Sequence, residues 1–131
     1  NLFGPLQGKT KFIPYVIESL KKGEPLNVTP CEQKRDFIYA DDFAWAIGKL
    51  LEKYPKAVGE IVNVSSGESI SLKEIIENCR KATNSTSQVN YGALPYRENE
   101  MMDLRCSVAK LESIIGQPFK FDMSKRIKEL I

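Results

Sequence analysis

Gln33-Lys34-Arg35-Asp36-Phe37-Ile38-Tyr39-Ala40-Asp41-Asp42 decides how this chain is read. A polar lead-in and an Arg-Asp pair run into three consecutive large hydrophobic residues, a short strand at 37–39. A double acid follows at once. Asp side chains accept the orphan amide hydrogens of a helix first turn, and their charge favours the positive end of the helix dipole. The stretch therefore predicts a strand that passes directly into a helix capped by Asp41 or Asp42. Phe43, Ala46, Ile47, Leu50 and Leu51 recur behind it at helical spacing.

Working towards the C-terminus, Glu60-Ile61-Val62-Asn63-Val64 predicts another strand and 65–70 a loop. Ser71-Leu72-Lys73-Glu74 is a capping box opening a helix with Leu72, Ile75, Ile76 and Cys79 on one face. Residues 88–91 predict a strand, 92–100 an irregular stretch, and Ser107 the cap of a helix stopped by Gly116 and Pro118. Asp122 caps a last helix with Met123, Ile127, Leu130 and Ile131 along one side.

Working towards the N-terminus, 29–34 is a polar loop and 26–28 a short extended piece. A helix spans 10–22, with Pro14 in its first turn and Gly23 past its end. Residues 1–9 form a Gly/Pro-rich loop. Short strands interleaved with helices place the fold in the α/β class, with mixed α+β character.

Composition excludes several functions. The chain has 131 residues, 42% hydrophobic and 27% charged, which suits one globular unit with a real core. Its 19 basic and 17 acidic residues are mixed, for a net charge of +2, so no nucleic-acid partner is expected. No apolar run approaches the ~20 residues of a bilayer span, so no membrane partner is expected. Cys31, Cys79 and Cys106 form neither a disulfide framework nor a CxxC clip. Without a signal-like N-terminus, a reducing cytoplasm is the expected location. Histidine is absent, which removes the commonest neutral-pH acid–base group and metal ligand; no metal site is expected. The first residue is Asn1 rather than Met, the form of a chain entered mid-protein.

Five blocks in order carry a family resemblance. They are Asn1-Leu2-Phe3-Gly4-Pro5; Phe12-Ile13-Pro14 with Lys22-Gly23-Glu24-Pro25-Leu26; the 33–42 block quoted above; Gly59-Glu60-Ile61-Val62-Asn63-Val64 with Ser66-Gly67-Glu68; and 107–131. Together they resemble the C-terminal half of extended short-chain dehydrogenase/reductases, the NAD-dependent nucleotide-sugar epimerases and dehydratases. The resemblance implies that residues 1–131 are a C-terminal substrate-binding portion, with an N-terminal Rossmann cofactor domain outside this chain. NAD or NADP would serve the parent enzyme, and none is expected to bind these residues alone.

By the same resemblance Arg35 would grip the substrate diphosphate, for which a forked guanidinium is better suited than an ammonium. Asn1 and Asn63 would donate amide hydrogen bonds, Arg97 would close from the later loop, and Leu26 and Val28 would line the slot for the base. No catalytic residue is expected here: the family's Tyr-x-x-x-Lys pair and glycine-rich dinucleotide loop have no counterpart in the chain. At 28–33, Val-Thr-Pro-Cys-Glu-Gln replaces a family loop with two glycines, so the base and sugar contacts there would differ.

Plainer readings stand beside these. Asp36, Asp41 and Asp42 read first as capping and backbone-bonding carboxylates. Ser107-Val108-Ala109-Lys110 matches Ser-x-x-Lys, but its partner motifs are missing. Trp45 reads as packing, and Cys31 as a loop thiol open to oxidation. Arg35 could pair with a neighbouring acid, Asn63 with backbone, and Arg97 with Glu98 or Glu100. Two other functions compete with a nucleotide-sugar enzyme portion. One is a free-standing, non-catalytic nucleotide- or protein-binding module. The other is a structural piece whose exposed interface drives self-association.

Overall fold

The computed structural model describes residues 1–131. In chain order the elements are β1 (Leu2–Phe3), α1 (Phe12–Lys22), β2 (Leu26–Val28), β3 (Lys34–Arg35), β4 (Ile38–Tyr39), α2 (Ala40–Glu52), α3 (Tyr54–Ala57), β5 (Ile70–Ser71), α4 (Leu72–Thr83), β6 (Val89–Tyr91), β7 (Asp103–Leu104), α5 (Ala109–Ile115) and α6 (Met123–Lys128). This is a mixed α/β fold of helices joined by very short strands.

The helices form where the apolar spacing is helical and the ends are chemically marked. In α1, Ile13, Val16, Ile17 and Leu20 are buried along one face. Gly23 stops it in the left-handed region at φ 73°, which glycine adopts without a Cβ penalty. In α4, the Ser71 hydroxyl accepts the Glu74 amide at 3.1 Å, as the capping box predicts. Asp122 caps α6 by accepting the Lys125 amide at 3.0 Å.

Helices α1, α4 and α6 pack together over the main core, which gathers Ile13, Val16, Leu20, Leu26, Ile75, Ile76, Cys79 and Ile127. Phe3 sits among Phe37, Tyr39 and Phe121 in edge-on contacts of 6.0, 5.4 and 6.3 Å, the geometry aromatic quadrupoles favour. A second cluster of Ile38, Ala46, Leu111, Ile115 and Phe119 joins α2 to α5.

Three small sheets stitch distant segments. β1 pairs with β4 in parallel, Leu2 opposite Ile38. β2 pairs with β6 in parallel, Leu26 opposite Val89. β3 lies between β5 and β7, antiparallel to the first and parallel to the second.

The structure corrects four expectations. The opening loop contains β1, because Leu2 and Phe3 find partners 36 residues downstream. Neither Asp41 nor Asp42 caps α2: the helix starts at Ala40 with Tyr39 at the cap, so both acids fall inside the first turn. There Asp42 binds Arg126 of α6 instead. Ser107 is one residue early; the cap of α5 is Val108, and the Ser107 hydroxyl accepts only the Ala109 amide at 3.4 Å. Residues 60–64 form no strand. No helix is long and apolar enough to cross a membrane.

Candidate functional site

Pairing of β3 with β7 places Arg35. The Lys34 amide donates to Met102 O at 2.7 Å and the Asp36 amide to Leu104 O at 2.9 Å, zipping 34–36 against 102–104. The Arg35 guanidinium then turns onto the same segment. Its Nη1 donates to Lys34 O at 2.8 Å and to Met101 O at 2.5 Å, and its Nη2 binds the Glu100 carboxylate. Both side chains of this ion pair are largely buried, at 16% and 17% exposure. Arg35 is thus held by internal acceptors, with Nε–H and one Nη2 hydrogen left over from its five donors.

Asp36 points the other way along the strand and is buried. Its carboxylate accepts five hydrogen bonds: from the Ser65 hydroxyl (2.8 Å), the Ser66 amide (2.9 Å), the Ser66 hydroxyl (2.6 Å), the Gly67 amide (3.2 Å) and the Cys106 amide (3.2 Å). The Asp36 carbonyl accepts Asn1 Nδ2 at 2.9 Å. The Arg-Asp pair therefore splits its work, Arg35 facing the 100–102 segment and Asp36 tying down the 65–67 turn. Gly67 in that turn has φ 79°, and a Cβ there would lie 2.7 Å from Val108 Cγ2.

Asn1 and Arg35 come together in the wall of one cavity of about 540 Å³, with Phe3, Lys11, Phe12, Phe37 and Leu72 among its other walls. Lys11 is exposed and makes no ion pair. With Arg35 paired to Glu100, Lys11 is the cationic side chain of this cavity that has no acidic partner. Sequence reasoning missed it; its place just before the Phe12-Ile13-Pro14 helix start was the available signal.

Other expected site residues lie elsewhere. Asn63 is exposed and is not a wall of this cavity; its amide donates to Ser107 O at 3.4 Å. Arg97 is exposed and its side chain makes no hydrogen bond or ion pair, Glu100 being taken by Arg35. Leu26 and Val28 do not present side chains to a base slot. They are buried in the main core at 0% and 7% exposure, because β2 lies under α1 and is paired with β6.

The altered loop at 29–33 is internally tied. Thr29 Oγ1 accepts the Cys31 amide and Gln33 Nε2, each at 3.3 Å. The Tyr96 hydroxyl accepts the Glu32 amide at 3.1 Å, joining this loop to the one that carries Arg97. Cys31 is buried at φ 60°, and burial pushes its thiol pKa up, against the expectation of an oxidisable loop cysteine. No group of His, Cys, Asp and Glu side chains is arranged to hold a metal ion.

Comparison with known proteins gives the same architecture a context. The model of the NAD dependent epimerase/dehydratase family matches residues 1–65. CDP-abequose synthase of Salmonella muenchen is 37% identical over 131 residues, 100% of this chain and 44% of that protein. The UDP-glucuronic acid 4-epimerase of Bacillus cereus, in complex with UDP-glucuronic acid and NAD, superposes with a TM-score of 0.85 at 21% identity, covering 99% of this chain and 41% of that one. RMD from Pseudomonas aeruginosa, complexed with NADPH, superposes at 0.82 with 23% identity, covering 99% and 44%. At such identities the two structures speak for the fold. The chain spans less than half the length of each of these three proteins.

Proposed function

The chain is homologous to NAD-dependent nucleotide-sugar enzymes of the epimerase/dehydratase family, and from that premise we propose that it is their nucleotide-sugar-binding portion. In this reading it holds the diphosphate and sugar for hydride transfer in an NAD(P)-dependent epimerase, dehydratase or ketoreductase. The observation that carries the reading is the cavity that gathers Asn1, Lys11 and Arg35 beside Phe12 and Phe37. A diphosphate needs cations and forked donors, and a sugar or base needs flat apolar walls. Lys11 supplies charge; Arg35, already oriented by Glu100 and Met101, supplies its remaining donors; Asn1 adds an amide. Arg97 would approach from the 92–100 loop, and Asn63 would act from the Ser107 side.

The residues present do not fit a dinucleotide cofactor. The β4-to-α2 junction has no glycine and puts Asp41 and Asp42 in the first turn, where a pyrophosphate would meet like charge. The β5-to-α4 junction also lacks glycine and carries Glu74. This supports a cofactor domain outside residues 1–131, and the chemistry of hydride transfer belongs there.

The test is a chimera in which these 131 residues replace the matched part of the Salmonella muenchen enzyme. CDP- and UDP-sugars are titrated by calorimetry. A charge-assisted arginine–phosphate bond is worth about 1.5–3 kcal/mol, so Arg35→Ala and Lys11→Ala should each weaken binding about tenfold or more. Dissociation constants unchanged in both variants would remove this cavity from the function.

A further inference from the structure

Trp45 is the single tryptophan of the chain. It is 39% exposed even though it packs on Phe119, with 5.8 Å between ring centroids. The turn after α5 explains the arrangement. Gly116 stops that helix at φ 76°, and Pro118, lacking an amide hydrogen, keeps the chain from resuming it. Phe119 then drops into the second cluster, its amide donating to Glu112 Oε1 at 2.9 Å. Gln117 and Lys120, on either side, are left exposed.

These five residues from Trp45 to Lys120, with Asp42, wall a cavity of about 430 Å³, within the size range of small-molecule sites. The side-chain hydrogen bonds at its wall run from Arg126 to Asp42 and from the Phe119 amide to Glu112. The indole N–H of Trp45, the amide of Gln117 and the ammonium of Lys120 therefore keep their donors free around a half-open ring.

Charge narrows the choice of occupant. Arg126 neutralises Asp42 through Nε at 2.8 Å and through Nη2. Lys120 makes no ion pair and is the uncompensated charge of the wall. The ligand that fits is flat at one end and anionic at the other. Any nucleobase can stack on an aromatic ring, an ammonium binds phosphate as a point charge, and a side-chain amide both donates to and accepts from a base edge. A neutral sugar would use the ring and the amide but leave Lys120 without a partner. A polynucleotide fits worse, because 19 basic and 17 acidic residues are mixed along the chain.

This cavity shares no residue with the one that holds Asn1, Lys11 and Arg35. Trp45 is two positions from both Phe43 and Ile47, the exposed apolar residues of α2, and so lies roughly 160° around the helix from them. A cover on that side of α2 would leave the cavity open.

We propose that Trp45, Gln117 and Lys120 form a second binding site, for a nucleoside phosphate, with the base stacked on Trp45 and the phosphate paired with Lys120. The site goes beyond the proposed function and does not depend on what the Arg35 cavity holds.

Trp45 fluorescence in the 131-residue chain tests it directly, since no other tryptophan contributes. GMP should quench the signal saturably. Lys120→Ala should raise the dissociation constant about threefold or more, and Lys11→Ala should leave it unchanged. Inorganic phosphate alone should not quench. A constant unmoved by Lys120→Ala overturns the proposal, and so does quenching by methyl glucoside but not by GMP. Quenching that Lys11→Ala weakens and Lys120→Ala does not would put GMP in the other cavity and overturns it as well. If the chain alone does not fold, calorimetry with GMP on the chimera decides. There Trp45→Leu, which keeps an apolar contact for Phe119 but removes the stacking face, should weaken binding about fivefold or more, and an unchanged constant overturns the second site.

Discussion

One oxygen of Asp36 accepts both the amide and the hydroxyl of Ser66, at 2.9 and 2.6 Å, inside the protein. With the further bonds from Ser65, Gly67 and Cys106, this carboxylate is fully satisfied by donors and faces no cation. It is a backbone-organising group rather than half of an ion pair. Its neighbour Arg35 owes its position to that organisation.

Removing the acceptor leaves three buried or half-buried amides unpaired, each costing about 1–3 kcal/mol. Asp36→Ala should therefore destabilise the chain by about 3 kcal/mol or more, and Asp36→Asn by less. Asp41→Asn, at an exposed position, should stay within about 0.5 kcal/mol. Urea unfolding midpoints measure all three.

Gly67 carries two constraints at once. Its φ of 79° disfavours any side chain, and a Cβ would meet Val108 at 2.7 Å. Gly67→Ala should cost about 2–5 kcal/mol, from roughly 1–2 of backbone strain and 1–3 of overpacking. Adding Val108→Ala should relieve the overpacking and leave the strain, so the double variant should sit above the single one in denaturant.

Arg126 ties the last helix to α2. Its Nε donates to Asp42 at 2.8 Å, its Nη2 also binds Asp42, Nη1 reaches Glu129 at 2.7 Å, and its Cζ lies 4.8 Å from the Tyr39 ring centroid. Its pKa is driven upward by these hydrogen bonds to Asp42 and Glu129. A double-mutant cycle of Arg126→Met with Asp42→Asn should give a coupling of about 1–3 kcal/mol, above the range of an exposed pair. Coupling below about 0.5 kcal/mol would mean the pair is decorative.

Burial pushes the Cys79 thiol from 9.0 up to about 12. Above pH 9 the unfolded chain loses this proton and the folded one keeps it, so the stabilisation is complete below pH 9. It falls as pH rises towards 12, by about 1.4 kcal/mol per unit. Cys79→Val should remove that part of the alkaline slope in urea unfolding at pH 8 to 11. Slopes of the same sign from Cys31, Tyr39 and Tyr91, also raised by burial, should remain.

Elements that rest on local chemistry were legible in the sequence. The α1 and α4 faces, the Ser71 capping box, the Gly23 stop and the Asp122 cap all depend on residues within one or two turns. β1, β3 and β7 were not, because two-residue strands are defined by partners tens of residues away rather than by their own composition. The cap of α2 was misread for a related reason: Tyr39 ends a strand and begins a helix without a gap, which displaces the acids into the first turn. At the site, Asn1 and Arg35 line one cavity, whereas Glu100 as the Arg35 partner lies 65 residues away in sequence. The resemblance alone puts Leu26 and Val28 at a slot for the base; the pairing of β2 with β6 under α1 makes them core.

The donors that satisfy Asp36 lie about 30 and 70 residues along the chain. Closing loops of that length costs entropy before any contact repays it, and no nearby group can substitute in the meantime. This carboxylate therefore leaves water only when the 65–67 turn and the 104–106 segment have both arrived. The neighbourhood of Arg35 should therefore assemble late, after the helices that carry most of the oily interior have met.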